Sequence, residues 1–61
     1  MAIKIIEKEI RNVKFEIEDL EILIDGQAMP DHERGYLIDE RYKLKGKLEG
    51  LEFALETITS N

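Results

Sequence analysis

A chain of 61 residues with 14 Asp and Glu against 9 Lys and Arg, one His and no Cys carries a net charge of −5. At this length there is one domain at most, folding buries only about 60% of the unfolded chain's surface, and the lack of cysteine excludes disulfides and thiolate zinc sites. The single histidine, His32, excludes a His-rich metal cluster, and the negative field repels phosphates, so no metal, cofactor or direct nucleic-acid partner is expected.

A core this small rarely contributes more than about 3–5 kcal/mol, and with disulfides and metals excluded the remaining supplement is oligomerisation or docking on a partner. The longest apolar runs, such as Ile22-Leu23-Ile24, fall well short of the roughly eighteen residues of a membrane span. No signal-peptide pattern follows Met1. No membrane partner and a cytoplasmic location are therefore expected. Aliphatic residues are too plentiful for a disordered chain of high net charge.

Along the first half, Ile3, Ile6, Ile10, Val13, Ile17, Leu20 and Ile24 recur at alternating spacings of 3 and 4, the apolar seam of a coiled-coil-like helix. The second half repeats the pattern in the opposite sense through Leu37, Arg41, Leu44, Leu48, Leu51, Leu55 and Ile58, with Arg41 the one polar member. An antiparallel hairpin pairs residues whose numbers sum to a constant, and these ladders pair from 24 with 37 to 3 with 58, every pair summing to 61. Two unrelated amphipathic helices have no reason to share one register over seven layers. The expected fold is therefore all-α, an antiparallel two-helix hairpin that assembles into a four-helix or larger bundle.

The punctuation between the ladders fits. Gly26 suits the left-handed position that closes a helix, and Pro30 is tolerated at a helix start, where its missing N–H costs nothing. Asp31 and Glu33 place negative charge at the positive end of the second helix. The spacing predicts helices over about residues 2–25 and 31–58, joined by a turn over about 26–30, with arms roughly 35–40 Å long at 1.5 Å per residue. No second domain or low-complexity segment is present.

Away from the seam, the first helix carries a broken apolar stripe of Ile5, Phe15 and Ile22, interrupted by Asn12 and Asp19. The second carries Tyr42, Gly46, Gly50 and Phe53. A lone hairpin leaves both stripes in water, and contiguous exposed apolar surface usually marks an interaction site, although scattered apolar residues are common on protein surfaces. Gly46 and Gly50 lie inside a predicted helix, where each costs about 1 kcal/mol relative to Ala. Close approach of a neighbouring helix, or a slot for a bulky side chain such as Phe15 of another protomer, would offset that cost; the alternative is a locally weak helix that merely tolerates them.

Arg41 faces Leu20 in the seam, and a single polar residue there can fix register or oligomer state. Glu16 and Glu21 lie close enough in this register to pair with it. Its stem can equally cover Leu20 while the guanidinium reaches water, and an anion contact in an oligomer is a third reading. From Glu16 to Asp25 the acids Glu16, Glu18, Asp19, Glu21 and Asp25 occur with no basic residue. This strip reads as a solvated helix face or as a surface for a basic partner. Lys43, Lys45 and Lys47 cannot cluster, because alternate helical residues lie about 200° apart. His32, between Asp31 and Glu33, lacks the convergent groups and dry pocket of acid-base catalysis, and no phosphate-binding loop, catalytic triad or metal-ligand spacing is present. An enzyme is not expected.

In size and expected architecture the chain resembles the short helical hairpins that dephosphorylate sporulation response regulators, whose second helix carries a Ser-Gln-Glu-Leu-Asp motif. The nearest stretch here reads Leu37-Ile38-Asp39-Glu40, so the motif is missing and the activity is not carried over. In size, acidity and Lys/Glu/Ile content the chain is also similar to orphan genes of phages and mobile elements, an analogy of composition.

The functional expectation is a non-enzymatic interaction module that forms a homo-oligomer through Ile5, Phe15, Ile22, Tyr42, Gly46, Gly50 and Phe53. One alternative is a phage or mobile-element inhibitor or adaptor that lays the acidic or an apolar helix face on a host protein. Another is an oligomeric sponge holding a small anionic ligand by Arg41, Arg34, His32 and Tyr36.

Overall fold

The computed structural model describes residues 2–60. It contains two helices, α1 (Ala2–Gly26) and α2 (Asp31–Thr59), packed against each other as a hairpin. The result is a rod of 47 × 14 × 13 Å, its length set by the rise of the longer helix.

The seam of α1 is built from β-branched residues except at Leu20, and Ile10, Val13, Ile17 and Ile24 are buried there. None of the residues of α2 is buried to the same degree. Its leucines, Leu37, Leu44, Leu48, Leu51 and Leu55, are half-buried. They lap over the Ile/Val ridge and keep their own outer edges in water, as expected where no third helix closes the far side. Ile6 and Leu20 are half-buried as well.

Cross-hairpin neighbours flank the positions that the two ladders set opposite each other. Ile17, opposite Leu44, shares a groove with Lys45 and Leu48. Leu20, opposite Arg41, shares one with Leu37 and Leu44, and Ile10, opposite Leu51, shares one with Glu52 and Leu55. A surface ion pair, Lys47 Nζ to Glu9 Oε1 at 3.0 Å, spans the two helices; exposed pairs of this kind contribute little, about 0–1 kcal/mol. At the open end the ladder loses cover. Ile3 is 39% and Ile58 41% exposed, so the outermost expected layer is not core, since no further layer lies beyond it.

The turn closes differently from the sequence expectation. No glycine, Gly26 included, has a positive φ among the described residues, so α1 does not end in a left-handed glycine cap. The end of α1 has an electrostatic problem too: its last turn holds no basic residue and includes Asp25, beside the negative pole of the helix dipole. Arg34, in the first turn of α2, addresses both. Its Nη1 donates to the carbonyl oxygen of Ile24 and its Nη2 to that of Gln27 at 3.2 Å. A cation thereby satisfies carbonyls that the helix end leaves without partners.

Across the turn, Pro30 sits at the N-cap of α2 with φ −60° and ψ 150°. Its carbonyl oxygen accepts from the N–H groups of Glu33 and Arg34, each at 3.1 Å. Asp31 and Glu33 lie in that first turn and favour the helix start through its dipole. At the far end of α2 the Thr59 hydroxyl donates to the Leu55 carbonyl at 2.8 Å and the Ser60 N–H to that of Glu56 at 2.9 Å.

Replacing Arg34 by Met keeps the apolar stem and removes both donors. Urea unfolding at fixed protein concentration is expected to show a loss of about 1–2 kcal/mol, the scale of a charge-assisted hydrogen bond. An unchanged midpoint would show that water caps α1 equally well. Ile17→Ala, which empties a buried seam position, is expected to cost more, about 2–4 kcal/mol.

Candidate interaction surface

The outward faces carry most of the large side chains that the hairpin leaves in water. Ile5, Phe15 and Ile22 on α1, and Tyr42 and Phe53 on α2, are 64–71% exposed. At about 100° per residue, Phe15 and Ile22 lie almost opposite the seam of α1, with Ile5 to one side. On α2 the same geometry groups Tyr42, Gly46 and Phe53 within an arc of about 40°, together with Gly35, and sets Gly50 at its edge.

Gly35, seven residues before Tyr42, belongs to the outward stripe although sequence reasoning passed over it. The signal was available in that spacing, which matches the seven residues from Gly46 to Phe53. A Cβ built on Gly35, Gly46 or Gly50 meets no atom within 4 Å. Nothing within the hairpin therefore requires glycine at these positions, and the helix bears their cost without an internal return.

Arg41 is half-buried in the seam. Among the described residues neither Glu16 nor Glu21 forms an ion pair with it, so of the readings open for Arg41 the ion pair is not the one seen: the ion pairs there are Lys47 with Glu9 and Lys43 with Glu40. Glu16 instead borders the groove of Asp19, Leu20 and Glu40. Glu21 lies with Glu18, Ile22, Asp25 and Gly26 on the side of α1. The half-burial of Arg41 is compatible with a stem that covers apolar surface.

The acidic strip is divided by the turn of the helix. Glu18, Glu21 and Asp25 share one shallow surface while Glu16 and Asp19 line another. Lys43, Lys45 and Lys47 also part company. Lys43 pairs with Glu40 at 3.6 Å, Lys47 crosses to Glu9, and Lys45 borders the groove that holds Lys14 and Ile17.

At the turn, His32 and Tyr36 line one open groove of about 590 Å³ with Leu23, Gln27, Met29, Glu33 and Leu37. Arg34 does not line it, its guanidinium being engaged with the carbonyls of Ile24 and Gln27, and Arg41 is likewise absent from its lining. Within one hairpin, then, the four residues weighed for an anionic ligand are not convergent. Among the described residues no group of three or more His, Cys, Asp or Glu is placed to hold a metal ion, and no helix is long and apolar enough to cross a membrane.

Compared with protein-family models, with curated proteins and with solved structures, the chain has no match.

Because the outward glycines meet open space, Gly35→Ala and Gly46→Ala are each expected to stabilise α2 in dilute, monomeric protein by about 1 kcal/mol, through helix propensity alone. Circular-dichroism melts at low concentration measure this. A lowered melting temperature would show that the glycines serve the hairpin itself.

Proposed function

We propose that this chain is a non-enzymatic, self-associating hairpin module that works as an assembly of paired hairpins, forming a four-helix unit or larger. The carrying observation is the amount of surface that the single hairpin leaves in water. A compact monomer of 7.1 kDa should expose about 4,100 Å². The hairpin exposes 4840 Å². The excess, roughly 700 Å², is close to the about 800 Å² that each partner contributes to a stable interface of ordinary size.

The identity of the exposed residues supports the same reading. Phe15 and Ile22 on one back and Tyr42 and Phe53 on the other are side chains whose removal from water is worth about 1.5–3 kcal/mol each, while the scattered charges around them resemble the polar rim of an interface. The non-enzymatic part of the reading rests on open grooves and on titratable groups spread along a rod, where catalysis needs them convergent and shielded from water.

Sedimentation equilibrium from roughly micromolar to 100 µM tests the proposal. It predicts a mass that is a multiple of 7.1 kDa. Because each chain carries −5, added salt should screen the repulsion between copies and strengthen association. A stably folded monomer over that whole range would overturn the reading.

A further inference from the structure

We infer that the partner of the α2 outer face is α2 of a second copy, laid antiparallel across a twofold axis at the level of Leu44, so that Tyr42 and Phe53 of each chain fill slots left by Gly46 and Gly35 of the other. The inference rests on the self-association proposed above and names the surface and register by which it occurs.

The outward stripe reads Gly35, Tyr42, Gly46, Phe53, with spacings of 7, 4 and 7 residues. That spacing is the same read from either end. The side-chain sizes invert on reversal: small, large, small, large in one direction becomes large, small, large, small in the other. Laid antiparallel with positions summing to 88, Gly35 faces Phe53 of the second copy and Tyr42 faces its Gly46, and the twofold axis repeats both contacts. Every aromatic ring then meets a glycine.

A parallel pairing sets ring against ring and glycine against glycine, which holds the helices apart at one level and leaves voids at the next. Interiors pack at crystal-like density, so complementary sizes are strongly preferred. A twofold arrangement is also the usual symmetry of a homodimer, in which one surface must complement itself.

The free hairpin supplies the means. Tyr42 and Phe53 are 70% and 71% exposed, and a Cβ on Gly35 or Gly46 meets nothing within 4 Å, so each slot is open in the isolated chain. Glycine at both positions lets the second backbone come close, toward the lower end of the 8–10 Å spacing of packed helices. The cost of two helical glycines, unexplained within one chain, is offset between two.

Engineered thiols test the register directly, because the chain has no cysteine of its own. Gly35→Cys and Phe53→Cys chains are prepared separately, mixed and oxidised mildly. The antiparallel register brings the two thiols together in the mixed dimer, which retains the second Phe53 contact. It holds two copies of residue 35 about 27 Å apart along the axis, far beyond the Cα separation of about 7 Å that a disulfide spans. The expected result is the mixed disulfide, with little product from either chain alone.

Dominant disulfides from each chain alone would establish a parallel pairing and overturn the inference. No cross-link in either case, with sedimentation still showing a dimer, would overturn it as well, and would move the interface to another face while leaving self-association standing. A monomeric unmodified chain would remove both. As a check independent of thiols, Gly46→Leu should weaken the dimer at least tenfold without lowering the helicity of the dilute monomer; an unchanged dissociation constant would contradict the slot.

Discussion

With a single neighbouring helix, only one face of each helix can be covered. This constraint runs through the whole molecule. The β-branched ridge of α1 is buried because the α2 leucines lap over both of its flanks, and those leucines stay half-exposed because nothing laps over them. The ladder fades at Ile3 and Ile58, where one of the two flanks is also missing. A rod made this way is a partial solution to burying apolar surface, and the unpartnered backs of both helices follow from it.

The closed end of the hairpin depends on charge. Arg34 joins the start of α2 to the end of α1 through two carbonyls, placing a cation where the α1 dipole is negative and where the nearby side chain, Asp25, is acidic. One residue thus caps one helix while belonging to the first turn of the other. The short connection from Gln27 to Pro30 contains no left-handed residue, and two hydrogen bonds tie the end of one helix to the start of the other. The same commitment removes Arg34 from the groove of His32 and Tyr36, so the architecture of the turn also bears on what that groove can bind.

The hairpin was legible in the sequence because its signal is distributed. The alternation of threes and fours extends over both ladders, so no single residue decides it. The cap was not legible, since it depends on one long side chain reaching ten residues back across the turn, which no periodicity encodes. Gly26 suggested a left-handed cap because glycine usually fills that position, yet here the carbonyls at the helix end are met by a guanidinium from the other helix. Arg41 stayed open for a similar reason: register places acids within range, but whether a flexible surface ion pair forms depends on solvation and side-chain entropy. On the outer face the exposed aromatics and two of the glycines were visible as a stripe. Gly35 was overlooked although its spacing from Tyr42 repeats that of Gly46 from Phe53; the open space around it confirms that nothing inside the hairpin uses it.

On the proposed reading, the half-covered seam, the excess surface and the outward aromatics make stability a property shared between copies. Thermal unfolding followed over a hundredfold range of protein concentration tests that most directly, because association that favours the folded state makes the melting temperature rise with concentration. The account predicts a steady increase, with the whole series shifted to higher melting temperature in salt. A melting temperature independent of concentration, with a single cooperative transition, would show that one hairpin is a complete structure and would contradict it.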